Sequence, residues 1–259
     1  MSATLERALR ARRDEGAKLL VPYVTGGLDE DWTQVLAAVV AAGADAVEVG
    51  IPFSDPVMDG PTIQEASTRA LARGTTPASV LADVRRAQVD VPVIVMTYYN
   101  LAYRMGDLRF ARSLAAAGVS GAILPDLPLE ESAVWEAEAA AAGVETILLA
   151  APVTPDDRLA LIAERSRGFV YGVSRMGITG ERADLASSAG LMAKRLKAVT
   201  DRPVLIGFGI STPAQAVEVC VEADGVVVAS ALLRVVLDGG GPEAAADFVG
   251  AMRAALDAG

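Results

Sequence analysis

The apolar and polar positions of the chain form a repeating unit: a short Val/Ile/Leu run, then a segment with helical periodicity. Before the first unit, Leu5, Ala8 and Leu9 recur at helical spacing, with Ser2 or Thr4 as N-cap and a stop near Gly16. Strand patterns follow at Leu19–Thr25, Ala46–Gly50, Val93–Tyr98, Gly121–Leu124, Thr146–Leu149, Phe169–Val173, Val204–Phe208 and Gly225–Val228. Between and after them, amphipathic stretches predict helices at Trp32–Ala42, Thr62–Ala72, Ala78–Ala87, Leu108–Ala116, Glu130–Ala142, Asp156–Arg165, Leu191–Val199, Ala214–Val221 and Pro242–Leu256. Asp29 or Asp31 stands where it can cap the helix from Trp32, and Gly43 where it stops that helix.

Short aliphatic strands alternating with helices describe a parallel sheet buried on both faces. Eight such units in one chain of 259 residues predict a (β/α)8 barrel with an N-terminal capping helix, as one domain over residues 1–259. The alternative is a doubly wound open sheet. It would call for a glycine-rich turn after the first strand, which Gly26-Gly27 matches poorly.

Composition narrows the chemistry. The formal charge of −10, from 33 acidic and 23 basic residues, opposes binding to nucleic acid or anionic membrane. There is no histidine and one cysteine, Cys220. That excludes Ser-His-Asp and Cys-His catalysis, histidine metal ligation, cysteine-rich zinc sites and any intrachain disulfide. Acid–base work must fall to carboxylates, tyrosine or lysine. Cys220, in a helical pattern, reads as a packed small hydrophobe. The charged N-terminus carries no signal-like core, and no apolar run nears the roughly 20 residues of a membrane span. A soluble cytoplasmic protein is expected.

The densest chemistry lies in Val47-Glu48-Val49-Gly50-Ile51-Pro52-Phe53-Ser54-Asp55-Pro56-Val57-Met58-Asp59-Gly60-Pro61. Glu48 sits on a buried strand, where an unpaired carboxylate shifts its pKa rather than stay charged. Asp59 lies on a stiff proline-rich loop just beyond. The two suit acid–base work on one small substrate. The structural alternative is that Glu48 pairs with an arginine and Asp59 caps the helix after Pro61.

In a barrel the site is built at the carboxyl ends of the strands. Tyr23, Met96 and Tyr171 are late in strands one, three and six, and would give the pocket apolar and aromatic walls. After strand seven comes Gly207-Phe208-Gly209-Ile210-Ser211, and after strand eight Ala229-Ser230-Ala231, which can open a short extra helix. These two loops are placed to cradle a phosphate through backbone N–H groups. The polar stretch from Ser174 to Gly190 is too long for an ordinary connection and reads as a lid.

Four segments together resemble the tryptophan synthase alpha subunit family: Glu48–Ile63, Leu124–Ser132, Tyr171–Gly180 and Gly207–Ser211. The resemblance runs over nearly the whole chain. It implies a barrel that cleaves indole-3-glycerol phosphate into indole and glyceraldehyde 3-phosphate. By the same resemblance, Glu48 and Asp59 are the catalytic pair. Tyr23, Ile63, Met96, Tyr171 and Phe208 line the indole and glycerol pocket. Gly180, Gly209, Ala229 and Ser230 form the phosphate cradle, and Arg175 and Thr179 are lid residues, Thr179 reaching Asp59 on closure. It further implies a pyridoxal-phosphate beta subunit in an αββα heterotetramer, contacted through Pro52, Phe53, Asp55 and Asp126 to Pro128. The pyridoxal phosphate belongs to that partner and no cofactor to this chain. Two departures stand out: Ala229 where the family usually has glycine, and Tyr23 where phenylalanine is common. Competing readings are a regulatory phosphate-binding subunit without turnover, a free-standing indole-forming lyase, and another phosphate-binding barrel such as a sugar-phosphate isomerase or an aldolase, many of which use a Schiff-base lysine. The last is weakened because Lys18, Lys194 and Lys197, the chain's lysines, are not late in any strand.

Overall fold

The computed structural model of the chain describes residues 4–173, 185–207 and 209–259. In order the elements are α1 (Leu5–Asp14), β1 (Leu19–Thr25), α2 (Trp32–Ala41), β2 (Val47–Gly50), α3 (Pro61–Ala72), α4 (Pro77–Ala87) and β3 (Val93–Met96). Then come α5 (Tyr99–Met105), α6 (Asp107–Ala116), β4 (Val119–Ile123), α7 (Ala133–Ala142), β5 (Glu145–Ala150), α8 (Asp156–Arg165) and β6 (Val170–Val173). The chain continues with α9 (Leu185–Lys197), β7 (Val204–Gly207), α10 (Pro213–Cys220), β8 (Gly225–Val228), α11 (Ser230–Leu237) and α12 (Gly241–Ala258).

The strands close into a parallel barrel in sequence order, β8 returning to β1 with Leu19 opposite Gly225 and Pro22 opposite Val228. Closure leaves no unpaired sheet edge and buries both faces of each strand, which is why the strands read as unbroken aliphatic runs. All seven residues of β1 and all four of β2 are buried. Alternate residues fill the barrel: Leu19, Val21, Ala46, Ile94, Ile123, Ile147, Phe169 and Leu205 form one interior cluster. Leu5 and Leu9 of α1 join it at zero exposure, so the N-terminal helix plugs the barrel's lower end. Thr4 caps α1 by accepting the Arg7 N–H, as its side chain suggests. The other strand faces pack against the helical ring through a larger cluster that includes Val24, Val47, Val95, Phe110, Trp135 and Leu196.

Five local expectations are corrected. Strand three ends at Met96 rather than Tyr98, and a helix absent from the periodicity, α5, starts at Tyr99. The Asp126 carboxylate accepts the Tyr99 N–H, a contact supplied by the loop after the neighbouring strand β4 that local pattern cannot reveal. Helix α9 begins at Leu185, six residues earlier than its pattern suggests, because Ala189, Met192 and Ala193 are buried and carry Gly190 along. Helix α7 begins at Ala133 rather than Glu130. The turn before it is held by the Ser132 hydroxyl, which donates to the Leu129 carbonyl and accepts from Arg165. Asp31 occupies the N-cap position of α2 without capping its backbone; its carboxylate accepts from the Gln34 side chain instead.

Candidate active site

Barrel register brings the site together from separate strands. Tyr23 pairs with Glu48 across β1 and β2, Glu48 with Ile94 across β2 and β3, and Gly50 with Met96 one step further up. Glu48 is 1% exposed, and its Oε2 has no hydrogen-bond partner among the described residues. Among the described residues no arginine or lysine pairs with it, and there the structural alternative of a buried salt bridge finds no partner. Burial first, and the nearby negative charge of Asp59 second, push the Glu48 carboxyl up to about 8. It therefore holds its proton at neutral pH.

Asp59 is half-buried on the loop between β2 and α3. It does not cap α3: Gly60 holds the N-cap position without a side-chain bond. Desolvation raises the Asp59 carboxyl, and the hydroxyl of Tyr98 pulls it back down. Asp59 in turn raises both Glu48 and Tyr23, which places the two carboxylates and one tyrosine in a single electrostatic unit at the barrel mouth.

Two tyrosines wall this unit, and each rests on a glycine of the next strand. A Cβ on Gly50 would collide with the Tyr23 hydroxyl, and one on Gly207 with that of Tyr171. Both phenols are buried and pushed well above the ordinary tyrosine range by desolvation first, so they stay neutral. Tyr171 is raised further by the charge of Glu48, which puts β6 beside β2's carboxylate. Ile63 and Met96 are partly buried against the core at the same rim.

Next to β1 in the barrel, α11 opens directly from β8. Ala229 is its N-cap and Ser230 its first residue, exposed to solvent. The first N–H groups of a helix lack intrahelical partners and favour an anion. Gly209 has φ 91°, a left-handed conformation that side chains disfavour, and it turns the chain between β7 and α10. Arg175, Thr179, Gly180 and Phe208 lie outside the described residues.

Sequence reading missed Tyr98. It follows β3 and accepts two backbone N–H groups of the opposite loop, from Met58 at 3.0 Å and Asp59 at 3.2 Å. Its ring stacks on Phe53, centroids 5.2 Å apart at 28°. The signal available was an aromatic polar side chain at the carboxyl end of a barrel strand. Along the rim, Phe53 is half-buried and Asp55, Asp126 and Pro128 are exposed, whereas Pro52 is buried. Val57 and Met58 of the same loop are 78% and 41% exposed, two apolar side chains that no reading of the sequence singled out.

A family model described as "Tryptophan synthase alpha chain" matches residues 9–252. The chain belongs to the tryptophan synthase alpha chain family. Relatives with that name include the chain of a Picosynechococcus species, 46% identical over 90% of both sequences. That of Streptomyces coelicolor is 44% identical over 98% of this chain and 94% of its own. Among solved structures, Mycobacterium tuberculosis tryptophan synthase superposes with a TM-score of 0.90 at 37% identity, covering 99% of each chain. Tryptophan synthase subunit alpha from Legionella pneumophila gives 0.89 at 31%, covering 99% of this chain and 100% of its own. As a member of the tryptophan synthase alpha chain family, the chain is a lyase built on a (β/α)8 barrel.

Proposed function

We propose that the chain cleaves indole-3-glycerol phosphate to indole and glyceraldehyde 3-phosphate with Glu48 and Asp59 as its acid–base pair. One observation carries this assignment: a buried Glu48, its Oε2 without a partner among the described residues, stands beside a loop carboxylate in the mouth of the barrel, where burial pushes its carboxyl up to about 8. The reaction breaks the bond between indole C3 and the side chain, which leaves an electron pair on C3. Glu48, holding its proton, donates it to C3, and the ring nitrogen becomes positive. Asp59, ionised, accepts the indole N–H and stabilises that charge. Loss of the side-chain hydroxyl proton to the Glu48 carboxylate forms the aldehyde. The C3 bond electrons return to the ring and neutralise the nitrogen. Tyr23, Tyr171, Met96, Ile63 and Phe208 would hold the flat ring. Gly209, Ser230, the Ala229 backbone and Gly180 would hold the phosphate. The Ala229 methyl leaves the N–H groups of α11 in place. Arg175 and Thr179 would close over the site.

The family implies a beta subunit as partner. Our reading is an αββα assembly in the cytoplasm, with pyridoxal phosphate in the beta subunit and none in this chain. Among the described residues no helix is long and apolar enough to cross a membrane. Phe53, Asp55, Asp126 and Pro128 would meet the partner, with exposed Val57 and Met58 beside them. Pro52 would act from beneath, by shaping the loop.

The test is indole release by the isolated chain and by Glu48→Gln and Asp59→Asn variants, with and without the beta subunit. Each substitution is expected to lower the rate by about 10² to 10⁴. Cleavage at the parent rate by both variants would remove the assignment. Substrate binding without turnover by the parent chain would favour the regulatory reading.

A further inference from the structure

We propose that Tyr98 is a positioning residue for Asp59, its hydroxyl setting the catalytic loop and its ring held in place by Phe53. This rests on the reading that Asp59 acts on the substrate. The geometry is specific. A phenol has one proton and two acceptor lone pairs. In Tyr98 the Met58 and Asp59 N–H groups occupy the acceptor side, at 3.0 and 3.2 Å. The proton is then left for the Asp59 carboxylate, which the hydroxyl draws toward its ionised form. One side chain therefore orients both the backbone and the carboxylate of the same residue.

The loop needs this. It runs without regular structure from Ile51 to Gly60, and its Val57 and Met58 side chains face solvent. At its start the Phe53 ring covers Tyr98. The backbone on either side of Tyr98 is itself held: the Thr97 hydroxyl donates to the Ile51 carbonyl at 3.3 Å, and Asp126 accepts the Tyr99 N–H at 2.8 Å. Phe53 and Asp59 thus meet on Tyr98 at the junction of β3 and α5, and Asp126 holds the next residue, Tyr99. Displacement of Phe53 at the rim would reach Asp59 through Tyr98.

The experiment uses the full isolated chain with four variants: Tyr98→Phe, Phe53→Leu, the two together, and Asp59→Asn. Tyr98→Phe keeps the stacked ring and removes only the hydroxyl, so the melting temperature is expected to stay close to the parent. We expect kcat to fall about 10-fold or more, the worth of one hydrogen bond to a charged group, while KM changes by less than about 3-fold. The acid limb of the rate–pH profile should also move upward. The titratable groups facing Asp59 among the described residues are Tyr98, Glu48 of β2 and Tyr23 of β1. Glu48 and Tyr23 are neutral in that range, so losing the Tyr98 donor leaves Asp59 harder to ionise. A structural role alone would not move that limb. Phe53→Leu should lower kcat about 2- to 10-fold in the parent and add little in the Tyr98→Phe background. An unchanged kcat and acid limb in Tyr98→Phe would overturn the proposal, and effects that simply multiply would overturn the role of Phe53. Asp59→Asn separates the two failures. If it keeps full cleavage, the catalytic reading falls. If it loses cleavage while Tyr98→Phe does not, only the positioning role falls.

Discussion

A carboxyl at 1% exposure with an unpaired oxygen works against the fold as soon as it is asked to ionise. Native Glu48 keeps its proton up to about 8, whereas the unfolded chain releases it near the ordinary glutamate value of about 4.3. Between those limits the native state binds more protons than the unfolded one. Stability therefore falls as pH rises through the window, and the whole penalty is present above about 8. Glu48→Gln removes the titration. The variant should match the parent near pH 4 and exceed it by on the order of 5 kcal/mol near pH 9, read from urea midpoints at both pH values. It should be inactive at both. Activity carries the same signature. On the proposed mechanism Glu48 enters protonated to act at C3, so kcat/KM of the parent should decline through about pH 8. A profile flat across that range would show that the proton comes from elsewhere. The burial of this residue was legible in sequence, because Val-Glu-Val-Gly reads as a buried strand, whereas the arginine partner left open there is not found among the described residues. Tyr98 was not visible in the same way. Its role depends on two backbone groups about forty positions upstream in the chain.

Strands and helices divide on what their patterns could disclose. The eight strands were legible because closure buries both faces, which leaves an uninterrupted aliphatic run at each. The start of α5 depends on a carboxylate from the β4–α7 connection, and the first turns of α9 on burial of small residues against the core. Neither leaves a mark in local sequence. The aromatic seats show the same coupling between neighbouring elements. Gly50 of β2 makes room for Tyr23 of β1, and Gly207 of β7 for Tyr171 of β6. Ala at position 207 would set a methyl on the Tyr171 hydroxyl, and β7 is buried on both sides, so the strand cannot retreat. Gly207→Ala is therefore expected to cost about 1–3 kcal/mol of stability by overpacking. By tilting the Tyr171 ring into the pocket it should also raise KM more than it lowers kcat. Steady-state kinetics beside thermal melting check both parts. Adding Tyr171→Phe, which deletes the colliding hydroxyl, should restore part of each.

The barrel as a whole separates what it does from what holds it. The proposed substrate chemistry gathers at the carboxyl ends of the strands, and the lower end is closed by α1 and by a charged knot around Asp45. The Asp45 side chain, 4% exposed, accepts the Leu20 N–H at 2.8 Å, Arg12 at 3.0 Å and Arg253 at 3.2 Å. Arg253, 11% exposed, also donates to the Lys18 carbonyl at 2.8 Å. One carboxylate thus ties the first helix, the first strand and the last helix together, where the chain's two ends meet. Asp45→Ala would leave a nearly buried guanidinium with only the exposed Asp257, 2.7 Å away, as its carboxylate, and a strand N–H without an acceptor. Breaking a buried pair from one side costs up to about 3–5 kcal/mol, and the remaining pair with Asp257 keeps the loss below that ceiling. Replacing Arg253 by Met in that background removes the stranded charge, so part of the loss should return. Neither change touches the upper rim. Below the melting transition, kcat/KM should stay within about 2-fold of the parent in both variants, since conservation of the lower face in such barrels concerns stability. Urea unfolding and cleavage assays on the same preparations decide it. A folded Asp45→Ala chain with cleavage reduced 10-fold or more would mean that strain at one end of this barrel reaches Glu48 and Asp59 at the other.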